Sequence, residues 1–457
     1  MNGEIPMKKN ALLAVLLAMT LLLSSCALVV KDQAVDNATV ILELGEDKIT
    51  KAEVKAATNN VLAQMYSFYQ NYYGTSIDVT SDTYVSQAQT EAVKSLKTNM
   101  TEKAKIAELG FDKLTDEDIA QVKETAQSDY DYYKSYAKLY WLTSEEAALE
   151  GEALDEAVLK ALDRYGVTVE ALEEDAAFDF SLNKLREHAV KDVAVSDEEV
   201  KADYDSKVAA DEEKYKENAA SWATASRNGT KLYYTPAGIR RVKQILLKFK
   251  ADDQTAINEA NTKVTEANSK VTAAQQTVDS ADASEEDKAK AQEDLTAAKA
   301  ELEAAQAALK EATDKGFANL DEDADAVLAA LKEDPSAWDK LQEEKNEDPG
   351  MKAGAANAEK GYAVCADTAD FDAAFVKAAM ALQSVGDVSD KVRGESYGYY
   401  IIKYVSDEVE GAAAYDSVKD ALHDTLLSAK KTETWDATLE QWIKDAGIKE
   451  NLGALKD

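Results

Sequence analysis

The sequence predicts an α+β protein: a mostly helical lobe, then a small domain with a four-stranded sheet and helices, interrupted by a long antiparallel coiled-coil insertion. Three observations predict it. Only four prolines interrupt 457 residues rich in Ala, Glu, Lys and Leu, a composition that favours helix. Two distant apolar stretches, Ile239–Lys250 and Tyr397–Val405, read as the central strands of one small domain. Between them runs an uninterrupted heptad seam.

At the amino terminus, Met7-Lys8-Lys9 precedes an apolar run, Ala11 to Leu23, and then Leu23-Ser24-Ser25-Cys26. That is the order of a secretory signal, and the run is too short to span a bilayer. A buried core helix is the alternative, opposed by Lys8 and Lys9 before the run and Lys31-Asp32-Gln33 after it. Leu-Ser-Ser-Cys resembles a bacterial lipobox, which implies residues 1–25 as signal peptide, lipid on Cys26 and an extracytoplasmic, membrane-anchored lipoprotein. The rival is an ordinary signal peptide with a chance cysteine. Residues 26–36 read as linker. With Cys26 acylated, Cys365 has no partner for a disulfide, so stability must come from packed cores. A formal charge of −35 opposes binding to nucleic acid or to an anionic membrane surface, leaving attachment to the acyl chains.

Along the chain, Val40–Leu44 reads as a strand and Gly45–Lys48 as a turn. Thr50 and Glu53 form a capping box, repeated at Thr115/Asp118 and Ser196/Glu199, while Gly110 and Gly166 stand where helices stop. Residues 37–235 are therefore expected to be a helical lobe. Asn228-Gly229-Thr230 and Pro236-Ala237-Gly238 are turn chemistry and mark a boundary. A sheet domain is expected over 238–406.

Within it, Ile257, Ala260, Val264, Ala267, Val271, Ala274 and Val278 space three and four apart, as do Ala291 through Ala312. The polar break Asp279–Asp287, with Ser284 as cap and Asp287 reciprocating, predicts a folded-back hairpin over 252–316. A single long helix is the rival. Ala324–Leu331, Ser336–Lys345 and Asp370–Leu382 read as helices, Gly361–Val364, Val388–Val392 and Gly398–Val405 as strands. The tail, Tyr415 to Leu452, reads as two amphipathic helices within a segment 407–457 that packs on the helical lobe.

This order, with Val242-Lys243-Gln244-Ile245-Leu246, Glu347-Asp348-Pro349-Gly350, Phe371–Leu382, Gly386-Asp387-Val388-Ser389 and Gly398–Lys403, resembles the parvulin-type peptidyl-prolyl isomerases. The helical part and tail resemble the chaperone region of the PrsA and SurA foldases. The coiled coil has no counterpart in the usual parvulin pattern. By that resemblance the family's two histidines fall on Gln244 and Tyr400, its cysteine-or-aspartate position on Asp348, and its proline-pocket Met and Phe on Phe371 and Phe375.

The resemblance thus implies a catalytic set Gln244, Asp348 and Tyr400 and a substrate pocket of Phe371 and Phe375, with both histidines lost. Gln244 and Tyr400 are expected to share a face and join amide to phenol. Rotation about X-Pro makes and breaks no bond and needs no net proton transfer, so losing the histidines need not abolish turnover; weak or absent isomerase activity is expected. Phe375→Ala is expected to damage peptide binding more than Asp348→Ala.

Met65–Tyr73 and Tyr130–Trp141 are aromatic-rich. They read either as a client-holding groove or, for most rings, as interior helix packing; consecutive Tyr72-Tyr73 and Tyr132-Tyr133 require some exposure. His188 and His423, the only histidines, lack metal-ligand spacing and read as structural or solvent-facing. Cys365 reads as an idle or packed thiol. No cofactor and no metal are expected, and no Asp-x-Asp-x-Asp-Gly calcium loop occurs. The expected function is a lipid-anchored foldase acting on unfolded or nascent secreted polypeptides, with a partner possible on the coiled coil. The alternatives are a non-catalytic holdase or scaffold and, disfavoured by the absence of alternating strand and helix, a solute-binding lipoprotein.

Overall fold

A computed structural model describes residues 33–456; the signal segment and Cys26 lie outside the described residues. The chain divides into two compact units, one running through Val195 and resuming at Thr425, the other formed by Ser196–Asp424.

Among the described residues the first unit begins with α1 (Gln33–Asn37), which overlaps the end of the segment read as linker. β1 (Val40–Leu44) and β2 (Asp47–Thr50) form an antiparallel hairpin. The helices are α2 (Lys51–Phe68), α3 (Asp82–Leu109), α4 (Asp116–Tyr140), α5 (Ser144–Ala147), α6 (Glu152–Arg164) and α7 (Val169–Ala189). Capping boxes close the amino ends of α2 (Thr50/Glu53) and α4 (Thr115/Asp118), and one more, Thr143/Glu146, opens α5. Each returns two orphan N–H groups to side-chain acceptors. Ile41, Leu42, Val54, Val93 and Met100 bury the hairpin on α2 and α3. Ala126, Ala137, Val158, Leu162 and Leu172 join α4, α6 and α7.

Tyr130, Tyr133 and Trp141 pack against the second of these clusters, but most rings of the aromatic segments do not. Tyr66, Phe68, Tyr72, Tyr73, Tyr132, Tyr136 and Tyr140 are all exposed, Tyr72 by 74%. The expectation that most rings pack inside therefore fails for these seven, which meet one another instead: Phe68 stacks on Tyr72 at 5.5 Å and Tyr136 meets Tyr140 at 4.7 Å. One turn of π-helix, Tyr69–Tyr73, carries consecutive rings beyond the buried stripe of α2.

The second unit contains α8 (Asp197–Tyr215), capped by Ser196/Glu199, α9 (Ala219–Arg227), β3 (Tyr234–Thr235) and β4 (Arg240–Lys248). Then come α10 (Ala251–Asp279), α11 (Glu285–Ala318), α12 (Asp321–Glu333) and α13 (Trp338–Lys345). β5 (Tyr362–Val364), α14 (Ala373–Ala381), β6 (Val392–Arg393), β7 (Gly398–Asp407) and β8 (Gly411–Ala412) complete it. The main sheet has order β5-β4-β7-β6, every pair antiparallel. The strand read at Val388–Val392 shortens to β6 and an isolated bridge between Val388 and Lys403. α8 and α9 cluster with the sheet rather than with the preceding helices: Tyr215, Trp222 and Ala223 pack on Ile239, Ala363 and Cys365.

α10 and α11 fold back on each other, as the capped break predicts. Ser284 Oγ accepts from Asp287 N, and Asp287 Oδ2 accepts from the Ser284 hydroxyl at 2.6 Å. Antiparallel pairing shows in Lys270 to Glu301 at 2.6 Å along the arms and Asn319 to Asp253 at the root.

α15 (Tyr415–Asp445) is one helix where the sequence suggested two. No Gly or Pro interrupts it, and the apolar stripe carrying Leu422 and Trp435 simply continues. Trp435 packs with Ile106, Leu182 and Leu185, and β9 (Lys449–Glu450) pairs with β1. No described helix is long and apolar enough to cross a membrane.

Candidate functional site

The register of β4 on β7 builds the site. Gln244 lies opposite Ile402 and Leu246 opposite Tyr400, so Gln244 and Tyr400 stand diagonally on one face. That face carries Val242, Leu246, Tyr362, Val364, Tyr400 and Ile402 beneath Phe375, Val376 and Ala379 of α14. The opposite face, with Ile245, Leu247, Tyr399 and Ile401, packs on Phe317, Trp338 and the hairpin root. Neighbouring residues of β7 therefore serve different layers: Tyr399 meets Phe317 at 4.8 Å, and Tyr400 meets Phe375 at 5.3 Å.

The polar centre is Asp348. Its Oδ2 accepts from Gln244 Nε2 at 2.7 Å and from the Tyr362 hydroxyl at 2.9 Å, and its Oδ1 accepts from Gly350 N at 2.9 Å. The turn that delivers it is held by Asn346, whose Oδ1 accepts from Leu246 N and whose Nδ2 donates to Asp348 O. The amide-to-phenol bond expected between Gln244 and Tyr400 does not form. A carboxylate competes better than a phenol for an amide donor, and Asp348 is within reach. Burial pushes the Tyr362 phenol up, with the Asp348 charge adding to it. Burial likewise raises Tyr400, with Asp372 adding, so both phenols stay neutral.

The apolar part is a ladder of four rings. Tyr362 meets Phe371 at 5.0 Å, Phe371 stacks on Phe375 at 5.2 Å, and Phe375 meets Tyr400 edge-on. Phe375 is fully buried; Gln244, Asp348, Tyr362 and Tyr400 are buried as well, and Phe371 alone is part-exposed. Two glycines let the tyrosines in: a Cβ on Gly350 would stand 1.9 Å from the Tyr362 hydroxyl, and one on Gly394 would stand 2.4 Å from Tyr400 Cε2. The structure thus gathers Gln244, Asp348, Tyr400, Phe371 and Phe375 in one place.

Sequence reasoning missed Tyr362 and Arg227. Arg227, at the end of α9, donates to Ala363 O and Asp370 Oδ2, and its guanidinium lies 4.8 Å from the Phe371 ring centroid. Tyr362 has a sequence signal, an aromatic beside Gly361 on a predicted strand. Arg227 has none, because it lies upstream of the boundary read at 236–238.

The foldase protein PrsA of Clostridium botulinum is 33% identical over 113 residues, 24% of this chain and 31% of that protein. The foldase protein PrsA 2 of Listeria innocua is 38% identical over 87 residues, 19% and 29% of the two chains. Over those stretches the chain is similar to the PrsA foldases. The matched stretch spans less than a third of either relative's length. The crystal structure of foldase protein PrsA from Streptococcus pneumoniae is 15% identical and covers 91% of this chain and 97% of its own, with a TM-score of 0.23; a superposition that loose adds no argument. No family model matches the chain. The polar groups of the candidate site are an amide, a carboxylate and two phenols that burial keeps neutral.

Proposed function

We propose that the protein is an extracytoplasmic foldase, anchored through lipid on Cys26, whose sheet domain holds proline-containing segments of secreted chains and isomerises them slowly. The observation that supports it is the convergence of Gln244, Asp348 and Tyr400 with the Phe371–Phe375 pair on one sheet face. X-Pro rotation faces a barrier of about 20 kcal/mol without bond chemistry. A ring cradle, exclusion of water and hydrogen bonds that favour the twisted amide lower it. The part-exposed face of Phe371 is the docking surface for a proline ring. Gln244 and Tyr400 supply neutral polar groups in place of imidazoles, so the rate is reduced rather than set by a proton transfer.

Exposure of Tyr66, Phe68, Tyr72, Tyr73, Tyr132 and Tyr140 favours a second reading, a holdase that grips unfolded segments by adaptable rings. A protease-coupled proline isomerisation assay on the protein lacking residues 1–30 separates the two. Turnover above background that Phe371→Ala removes supports the slow isomerase. No turnover, with aggregation of a denatured client still suppressed, selects the holdase.

A further inference from the structure

The amide of Gln244 is only half used. Nε2 is bound to Asp348, but Oε1 is fully buried and finds no donor among the described residues. Rotating the amide would not help. It would turn Oε1 onto the Asp348 carboxylate, which is itself an acceptor already bound by Tyr362 and Gly350. The orientation is therefore locked, with the carbonyl pointing away from Asp348. Val242, Leu246, Val364, Ile402 and Phe375 on this face are apolar, the Tyr362 hydroxyl is spent on Asp348, and the Tyr400 hydroxyl makes no hydrogen bond to Gln244. The backbone N–H groups nearby are committed elsewhere: Leu246 N donates to Asn346 Oδ1, Lys248 N to Glu347 Oε2 and Ile402 N to Ser389 Oγ. A buried acceptor left unmade is costly, and natural folds keep few of them.

We propose that Gln244 Oε1 is an acceptor subsite for one backbone N–H of a bound polypeptide. The ligand class is an extended segment that presents a secondary amide at a fixed distance from the ring held on Phe371, and proline is rejected at that amide because it has no N–H. This rests on the reading of the domain as a peptide holder. Entry is from the Phe371 side, the one part-exposed ring of the ladder, and Arg227 with Asp370 sets that ring's position. Asp348 acts here as a positioning residue: it fixes which end of the Gln244 amide faces the ligand.

The test is an ester scan. Each backbone N–H of a short proline-containing peptide is replaced in turn by an ester oxygen, and affinity for the full chain is measured by fluorescence anisotropy. One position is expected to weaken binding about tenfold while the others change little. Gln244→Met is expected to erase that position's penalty. Should Gln244→Met not fold, the wild-type chain still decides: proline placed at the sensitive position must lose at least as much affinity as the ester. A flat scan, or a penalty that survives in Gln244→Met, or a proline accepted there, overturns the subsite and leaves Oε1 to a buried water. Failure of every peptide to bind sinks the peptide-holding reading itself.

Discussion

Replacing Asp348 with alanine removes the acceptor for three donors at once. Gln244 Nε2 and the Tyr362 hydroxyl are buried, and Gly350 N is part-buried. A buried donor stripped of its partner costs about 1–3 kcal/mol, so the two buried ones give about 2–6 kcal/mol. For a domain of this size each kcal/mol moves the melting temperature about 2–4 °C, and a fall of about 12 °C is expected. Asp348→Asn, which keeps an acceptor oxygen and the shape, is expected to lose less than half as much. Thermal unfolding followed by circular dichroism at matched protein concentration reads both. A melting temperature for Asp348→Ala within about 2 °C of wild type would show that the three donors find other partners, and would refute the role of Asp348 as hub. Phe375→Ala, at a fully buried ring, costs about 3–5 kcal/mol of stability, near parity with Asp348→Ala; in peptide binding Phe375→Ala is expected to do the greater damage, and equal affinities of the two variants by titration would reject that.

Other outcomes follow from the same contacts. Trimming the coiled coil between Val264 and Leu302 is expected to leave the sheet domain folded, whereas excising 252–316 removes Ile257, Leu309 and Ala312 from the core and the Asp253 partner of Asn319; equal proteolytic resistance of the two deletions would contradict this. Arg227→Ala is expected to weaken peptide binding several-fold more than Arg227→Lys, since lysine keeps the charge near Asp370 but not the planar stack on Phe371; calorimetric titration of both variants with one peptide checks it. Asp321 is held below the usual carboxylate range by a hydrogen bond from Lys391 and then one from Tyr399, and Asp314 by Lys310 and then Arg393. Their folded pKa values are lowered, so the stability they add is present above about pH 4 and is lost as pH falls through the folded values. Asp321→Asn should therefore flatten the acid limb of a melting-temperature profile and leave its shape from pH 6 to 8 unchanged.

Much of the fold was legible because it is written in local pattern. Thr50/Glu53, Thr115/Asp118 and Ser196/Glu199 announce helix starts by chemistry confined to four residues. The alternating three-and-four spacing from Ile257 to Ala312 determines a coiled coil, and the Ser284 cap determines that it is a hairpin. The strands around Gln244 and Tyr400 are visible as runs of β-branched and aromatic residues, and the five candidate site residues follow from the sequence resemblance.

Partner choice was not legible. Gln244 had two acceptors or donors within conceivable reach, and only the turn that brings Asp348 to 2.7 Å decides between them. Arg227 reaches Phe371 across more than 140 residues of chain, and no local pattern encodes such an approach. Exposure of the tyrosine segments depends on how many rings a helix pair can bury, which is a matter of area available in the folded unit and not of residue type. Sequence by itself determined which residues share one face of a helix or strand, because that follows from periods of 3.6 and 2 along one element. Which atoms meet, and which one of them, Gln244 Oε1, is left waiting, was decided only when separate elements closed over the same space.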